Sequence, residues 1–569
     1  MIVLRRLTVM LLCLASGFFC SVQNALASAY NAHPRLVVVI VIDQFRGDYL
    51  ERYRDEFGEG GFRMFLDHGA YFTDCNYDYA NTRTAPGHAT LLTGSYTSGH
   101  GIIANDWWDP QKKKRVTSVE DDSTKLVGGG NAGPGASPHN LLSDTLGDEL
   151  KLATGGKARV FAVSLKDRAA VLPAGFSGDG AYWIDAKSGD WITSTYYRSD
   201  LPEWVDKFNA SHRAEKYWNR EWKDSDGNVL GSTAPRNGTD DKAAGFYKVV
   251  GSTPFADDYQ FEFAKELVLY EKLGAGAATD LLVIGLSAND ILGHQVGPDS
   301  PQMRGMALEL DRQLGEFFTF LGHQVGMANV WIALSADHGI APLPDFAKTL
   351  RLPAANLDAK AMREQINSLL SKKYARKADY VLDLNYPLAW LNEEAFSGSA
   401  IEHSAEHTAG HSGGIKESEA EADVGEALKV AGSAGYFGKS QLARGETPAT
   451  EIGRRYAHSY SPAGGWYVMG IPREFQVGTT KGTDHASPFS YDTHVPLAFY
   501  GLAFQPGIYR THAEPVDLAV TLASLLGINA PVQATGRVLT EALQTPRHLG
   551  TALPMQPVAP GPSPSGAPQ

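Results

Sequence analysis

The chain has 569 residues, with 51 Lys and Arg against 64 Asp and Glu, for a formal charge of -13. The length exceeds what one hydrophobic core normally supports, so one large domain with inserted subdomains, or two domains, is expected. With 43% hydrophobic and 20% charged residues the composition is that of an ordinary globular protein, and the surplus of acid excludes broad nucleic-acid binding, which rewards clustered Lys and Arg.

At the N-terminus Arg5-Arg6, the apolar run Val9 to Cys20 and Ala25-Leu26-Ala27 before Ser28 follow the layout of a secretory signal. This predicts removal of residues 1–27 and a periplasmic or secreted product. The run is too short to span a bilayer of ~30 Å comfortably, so no stable membrane anchor is expected. Cleavage would leave Cys75 with no partner for an intramolecular disulfide.

Leu36 to Ile42 is an unbroken apolar, β-branched run ending at Asp43, the pattern of a strand buried on both faces of a parallel sheet. Similar runs follow. Arg159 to Leu165 ends at Lys166, Leu281 to Leu286 precedes Asp290, Val330 to Leu334 ends near Asp337 and His338, and Val495 to Tyr500 follows His485. Between them Leu310, Leu314, Phe317, Phe318 and Leu321 recur at helical spacing. Alternating strands and helices predict an α/β fold: a doubly wound, mostly parallel central sheet with helices on both faces. Ligands of such sheets bind beyond the carboxyl ends of the strands, where most of these polar residues fall.

Two stretches interrupt that alternation. Residues 176–255 scatter Tyr182, Trp183, Trp191, Tyr196, Tyr197, Trp204, Tyr217, Trp218 and Trp222 among small polar residues, as an inserted subdomain would. Its aromatics either pack a small core of their own or cover the active site. A second insert is expected over about 345–480, with a charged helix near Lys416 to Val430 read as a solvated face. The catalytic domain thus runs over 28–545. Residues 546–569, rich in Pro, Gly, Ser and Ala, read as a disordered tail.

Asp290 and His294 lie four residues apart, which brings a carboxylate and an imidazole to one side of a helical turn. Asp337-His338 supplies a second pair straight after a strand, and Asp43 and His485 add one of each. Oxygen and nitrogen donors without a thiolate cluster suit Zn²⁺, Mn²⁺ or a similar divalent ion. Two such ions would clamp an in-line displacement at phosphorus and activate a hydroxyl nucleophile. Thr84, before Pro86 and Gly87, could stand at a helix start whose free backbone N–H groups favour phosphate. A helix-capping role is the simpler alternative for it.

The segments VVVIVIDQFRGDYL, TRTAPGHATLLTGSYTSGHGIIANDWWD, SLKDRAAVLPAG, DILGH, SADHG and GTDHASPFSYDTHVPLAFYG are spread across nearly the whole mature chain. In that order they resemble the alkaline phosphatase superfamily. Within it the chain resembles the threonine-nucleophile alkaline phosphatases of secreted bacterial type, which are similar to nucleotide pyrophosphatase/phosphodiesterases. The resemblance implies two Zn²⁺ ions, one surrounded by Asp43, Thr84, Asp337 and His338, the other held by Asp290, His294 and His485. His494 also lies near the last strand, but the spacing from His485 to that strand is the one that resembles the family. Thr84 would form a phosphothreonine intermediate, while Asn105, Lys166 and Arg168 would bind the non-bridging phosphate oxygens, Arg168 in a forked geometry. Lys166-Asp167-Arg168 resembles the monoesterase pattern, so small phosphate monoesters are the implied substrates. The oligomeric state is left open.

A phosphodiesterase or nucleotide pyrophosphatase remains the alternative enzyme. A sulfatase would need C/S-x-P-x-R, where this chain has Thr84, Pro86 and His88. A non-catalytic binding protein would have no use for a bare hydroxyl among metal ligands. His403, His407 and His411 have ligand-like spacing but no adjoining strand, and read as surface residues.

Overall fold

Leu36–Ile42 reads LVVVIVI, and every one of its residues is fully buried. Side chains alternate between the two faces along a strand, so both faces of the sheet are covered here. The strand pairs in parallel with Asp280–Leu286 on one side and Val330–Ser335 on the other. Val160–Ser164 and then Gly180–Ile184 continue the parallel order beyond Asp280–Leu286. These strands share one carboxyl edge within an 11-stranded sheet. The computed structural model describes residues 33–130, 133–234, 245–397 and 414–544. Residues His33–Leu543 form one compact unit. The signal segment, the tail from 546, and His403, His407 and His411 lie outside the described residues.

The α/β expectation agrees with this architecture, with one difference of direction. The last apolar run forms Leu497–Tyr500, antiparallel to Val330–Ser335, with Leu497 opposite Ser335. Its N-terminal end therefore lies at the carboxyl edge of the parallel strands. For that reason His485, which precedes the strand, reaches the same edge as Asp43.

Helices cover the sheet as their sequences direct. Pro301–Gln324 starts with Pro301 in its first turn and Ser300 Oγ accepting from Met303 N at 3.2 Å. It buries Leu310, Leu314, Phe317, Phe318 and Leu321, the periodic set expected from sequence. Thr84–Thr93 is buried throughout and ends at Gly94, whose left-handed φ of 64° closes the helix.

The aromatic stretch does not stand wholly outside the sheet. Gly180–Ile184 and Trp191–Ser194, which hold Tyr182, Trp183 and Trp191, are sheet strands. Trp191 stacks on Phe263 at 4.1 Å, with Trp204, Phe208 and Tyr182 around the same ring. These aromatics are core against the helix Pro254–Tyr270. Burial raises the phenol pKa of Tyr247, while Lys166 and Arg168 act on it in the opposite sense.

Within 345–480 a separate four-stranded antiparallel sheet runs in the order Val381–Asn385, Leu388–Leu391, Tyr467–Ile471, Gly435–Gly438. The charged helix, Glu417–Ala431, is more than a solvated face, because Ala420, Val424 and Leu428 line the core beneath this sheet. Cys75 is buried and free.

Candidate active site

The carboxyl edge gathers the expected ligands because the carboxylates and most of the imidazoles follow parallel strands, while His485 precedes the antiparallel one. Asp43 comes straight after Leu36–Ile42, and Asp337-His338 straight after Val330–Ser335 and Ala336. Asp290 and His294 lie on the helix Ala288–Val296, which follows Asp280–Leu286, and Lys166 caps the helix Asp167–Ala174 after Val160–Ser164. The ligand atoms of Asp290, His294 and His485 lie within 4.8 Å of one another, and those of Asp43, His88 and Asp337 form a second such group.

Every oxygen of Asp43 is placed by a neighbour. His88 Nε2 donates to Oδ1 at 2.9 Å, and Ser287 Oγ and Lys166 Nζ each approach Oδ2 at 2.9 Å. Burial opposes the charge of Asp43, but Lys166 and His88 outweigh it and hold the carboxyl at about 2. Lys166 Nζ also lies 2.6 Å from Asp290 Oδ2, so one buried ammonium joins the two groups. Asp337 fares differently: burial, and then the charge of Asp43, push its pKa well above the usual carboxylate range. Its Oδ2 is buried without a hydrogen-bond partner. Ionising it calls for more positive charge than Lys166 provides.

The imidazoles are oriented alike. Nδ1 of His294 faces Thr483 O at 2.9 Å, that of His338 faces Gly339 O at 2.9 Å, and that of His485 faces Thr82 O at 2.6 Å. A carbonyl only accepts, so each Nδ1 carries the proton and each Nε2 is the ligand end. Burial lowers His338 to about 4 and His485 well below the ordinary value, keeping both neutral. Their rings stack at 3.7 Å, and His338 Nε2 is buried without a partner. At His294 burial is outweighed by Asp290, which raises it to about 9, so a cation at Asp290 would compete with that proton. Anchored Nδ1 atoms, bare Nε2 atoms and an unpartnered carboxylate oxygen fit divalent metal.

Thr84 is the first residue of its helix rather than its cap, which is Arg83. It lies four residues before His88, so the two share a helical face, and His88 touches Asp43. Gly87 seats the helix on the strand end, since a Cβ there would lie 2.6 Å from Asp337 Cβ. Past Thr84, the next three positions of the helix offer no free N–H group. Ala85 N donates to Asn105 Oδ1 at 2.7 Å, Pro86 has no N–H, and Gly87 N donates to Arg83 O at 2.9 Å. Asn105, with its carbonyl engaged, has its NH₂ left for an acceptor, and Arg168 stands two residues past Lys166 with 23% of its side chain exposed.

His494 is excluded by geometry: its Nε2 faces Thr73 O at 3.0 Å, away from both groups. Sequence reading missed His88, which only its helical offset from Thr84 could have flagged. It also missed Gln44, whose backbone N donates to Asp337 Oδ1 at 2.9 Å and whose Nε2 donates to Asp290 Oδ1 at 2.7 Å. Arg83, beside the nucleophile candidate, reaches the second insert through Tyr386 O at 2.8 Å.

A family model described as type I phosphodiesterase / nucleotide pyrophosphatase matches residues 37–420. This chain belongs to that family. It is accordingly a hydrolase, and its similarity to individual members extends over almost its full length. It is 34% identical to a protein of Myroides odoratus named calcium-transporting ATPase, over 91% of this chain and 96% of the other. Alkaline phosphatase PhoV of Synechococcus elongatus is 32% identical, over 94% of this chain and 99% of its own length. Alkaline phosphatase PafA of Elizabethkingia meningoseptica is 32% identical over 90% of this chain and 94% of its own. The crystal structure of wild-type PafA superposes with a TM-score of 0.79 at 30% identity, covering 90% of this chain and 99% of that one.

Proposed function

We propose that this chain is an exported alkaline phosphatase that hydrolyses small phosphate monoesters at a two-zinc site through a phosphothreonine intermediate. The observation that carries the reading is the convergence at one sheet edge of carbonyl-anchored imidazoles, buried carboxylates, the Thr84 helix and Lys166. Asp290, His294 and His485 would hold one ion; Asp43, Thr84, Asp337 and His338 would hold the other. Zinc held there supplies the positive charge and Lewis acidity that a hydroxyl nucleophile and a departing alkoxide both need.

The chain's own residues set the rest. Thr84 Oγ attacks phosphorus, its bond to phosphorus forms as the ester bond breaks, and water then releases phosphate and restores the hydroxyl. Asn105 donates its NH₂ to a non-bridging oxygen, and Lys166 and Arg168 contact the others. These three side chains would discriminate between esters. A monoester dianion offers three non-bridging oxygens; a diester offers two and carries less charge, so it forfeits part of this stabilisation. PafA has also been crystallised with a threonine, an asparagine, a lysine and an arginine replaced, residue types that occur in the same order here at Thr84, Asn105, Lys166 and Arg168.

Diester or pyrophosphate cleavage is the second reading, favoured by the description of the family model itself. Export rests on the N-terminal pattern, and no helix among the described residues is long and apolar enough to cross a membrane. The deciding experiment is Thr84→Ala with zinc supplied. Turnover of an aryl phosphate should vanish while zinc content and thermal stability persist, and acid-stable phosphothreonine should be recoverable from quenched wild-type enzyme but not from the variant. Multiple turnover by the variant would refute the assignment.

A further inference from the structure

Gln44 adopts a left-handed backbone conformation, φ 64°, in a residue that is not glycine and is fully buried. Such a conformation is strained in a residue with a side chain and persists where the surroundings over-determine it. The determinants lie on both sides. Strand Leu36–Ile42 is flanked in parallel by the strands that lead to Asp337 and to Asp290. The left-handed turn just past Asp43 sends the Gln44 backbone N–H to Asp337 Oδ1 at 2.9 Å and its side-chain NH₂ to Asp290 Oδ1 at 2.7 Å. Gly293, on the helix that carries Asp290 and His294, is where the amide needs room, because a Cβ there would collide with Gln44 Oε1.

We infer that Gln44 is a positioning residue that ties the two ligand groups to each other and sets the Asp290 carboxylate for the His294 and His485 group. This rests on the two-metal reading above. The reasoning is geometric. Asp337 Oδ1 is engaged by the backbone of Gln44, so its Oδ2 faces His338 Nε2 at 3.3 Å. Asp290 Oδ2 is engaged by Lys166, so Oδ1 is the oxygen turned toward His294 Nε2, at 3.3 Å, and the Gln44 amide fixes its remaining direction. A two-ion clamp requires a set separation, and Gln44 is in hydrogen-bond contact with a ligand of each group. The backbone contact serves one group and the side-chain contact serves the other, so substitution of the side chain separates them.

The test is zinc titration of metal-free wild type, Gln44→Met and Gln44→Gly in competition with a chromophoric chelator. Methionine keeps the length and removes the donor. Glycine also removes it, but keeps the backbone N–H on Asp337 and lifts the left-handed cost. Wild type should bind two equivalents. In both variants one equivalent should weaken by about 10- to 100-fold, the usual effect of losing an outer-shell partner, and the other should stay within about threefold of wild type, well short of that effect. On a His294→Ala background, which lacks a ligand of the Asp290 group, Gln44→Met should leave the remaining equivalent unaltered. Two unaltered equivalents in both variants would overturn the role of Gln44 and leave the two-metal reading standing. Equal weakening of both equivalents with a lowered melting temperature of the metal-free protein would make Gln44 merely structural and overturn the inference. Fewer than two equivalents in wild type would overturn the two-metal reading and this inference with it.

Discussion

Replacing Lys166 and Arg168 together with alanine should separate monoesterase from diesterase more sharply than any change to the metal ligands. A hydrogen bond to a charged group is worth about 1.5–3 kcal/mol. Lys166 is 4% exposed, so its contact belongs at the upper end, while Arg168, with 23% of its side chain exposed, belongs at the lower. Together they contribute about 4.5 kcal/mol, roughly a thousandfold in kcat/KM. A diester, with one fewer non-bridging oxygen, engages at most part of this set and should lose no more than about thirtyfold. The assay is kcat/KM on an aryl phosphate and its matching diester at saturating zinc, with zinc content measured on the same samples. Arg168→Ala alone is the cleaner half of the pair. Among the described residues Asp167 is the one charged partner within ion-pair distance of Arg168, whereas Lys166 contacts both Asp43 and Asp290. The single variant should lose about tenfold on the monoester alone. Equal losses on both substrates would refute the monoesterase reasoning.

Gly87→Ala should cost at least a hundredfold in kcat/KM together with zinc, since the added Cβ would stand 2.6 Å from Asp337 Cβ and 2.7 Å from its Cα, where backbone has to move; activity and zinc assays on the purified variant decide it. A second test concerns stability against acid. His100 is buried, with Nδ1 accepting from Ile102 N at 3.1 Å and Nε2 against Thr90 Oγ1 at 3.1 Å. Burial lowers its pKa to about 3, so its contribution to stability is complete above the ordinary value of 6.5 and is lost as pH falls toward 3. At two units below 6.5 the loss is roughly 3 kcal/mol. Urea unfolding of wild type and His100→Asn from pH 8 to 4.5 should show their stability difference shrinking by about that much, and a pH-independent difference would contradict it.

Much of the fold was legible because β-branched apolar runs of strand length have few alternatives, and Leu36–Ile42, Asp280–Leu286 and Val330–Ser335 were bounded nearly correctly. Strand direction was not legible, since an apolar run such as Val495 to Tyr500 has no polarity of its own. The strands Gly180–Ile184 and Trp191–Ser194 were read as insert because a few aromatics between glycines and serines show no period-two pattern over so short a length. At the site, Asp290 and His294 declared themselves by helical spacing and Asp43 by ending a strand. Gln44 left no signal. Left-handed backbone is flagged in sequence by Gly, Asn or Asp, and a glutamine adopting it is fixed by partners that come from 246 and 293 residues away.

The same geometry explains why ligand residues cannot decide the substrate. A metal clamp that stabilises an attacking and a leaving oxygen serves a monoester and a diester alike, because both reactions develop charge at those two atoms. Selectivity has to come from whatever meets the non-bridging oxygens. In many phosphate sites that is a helix N-terminus, but here Asn105, Pro86 and the helix's own first turn occupy or remove the backbone donors beside Thr84. On the proposed reading Asn105 acts twice: its carbonyl closes off Ala85 N, and its NH₂ would meet a phosphate oxygen. On that reading discrimination would pass to side chains supplied by separate segments, Asn105 before the strand Asp106–Asp109 and Lys166 with Arg168 after Val160–Ser164. Such residues can change without disturbing the ligand groups, which is how one two-metal scaffold can serve different phosphate esters.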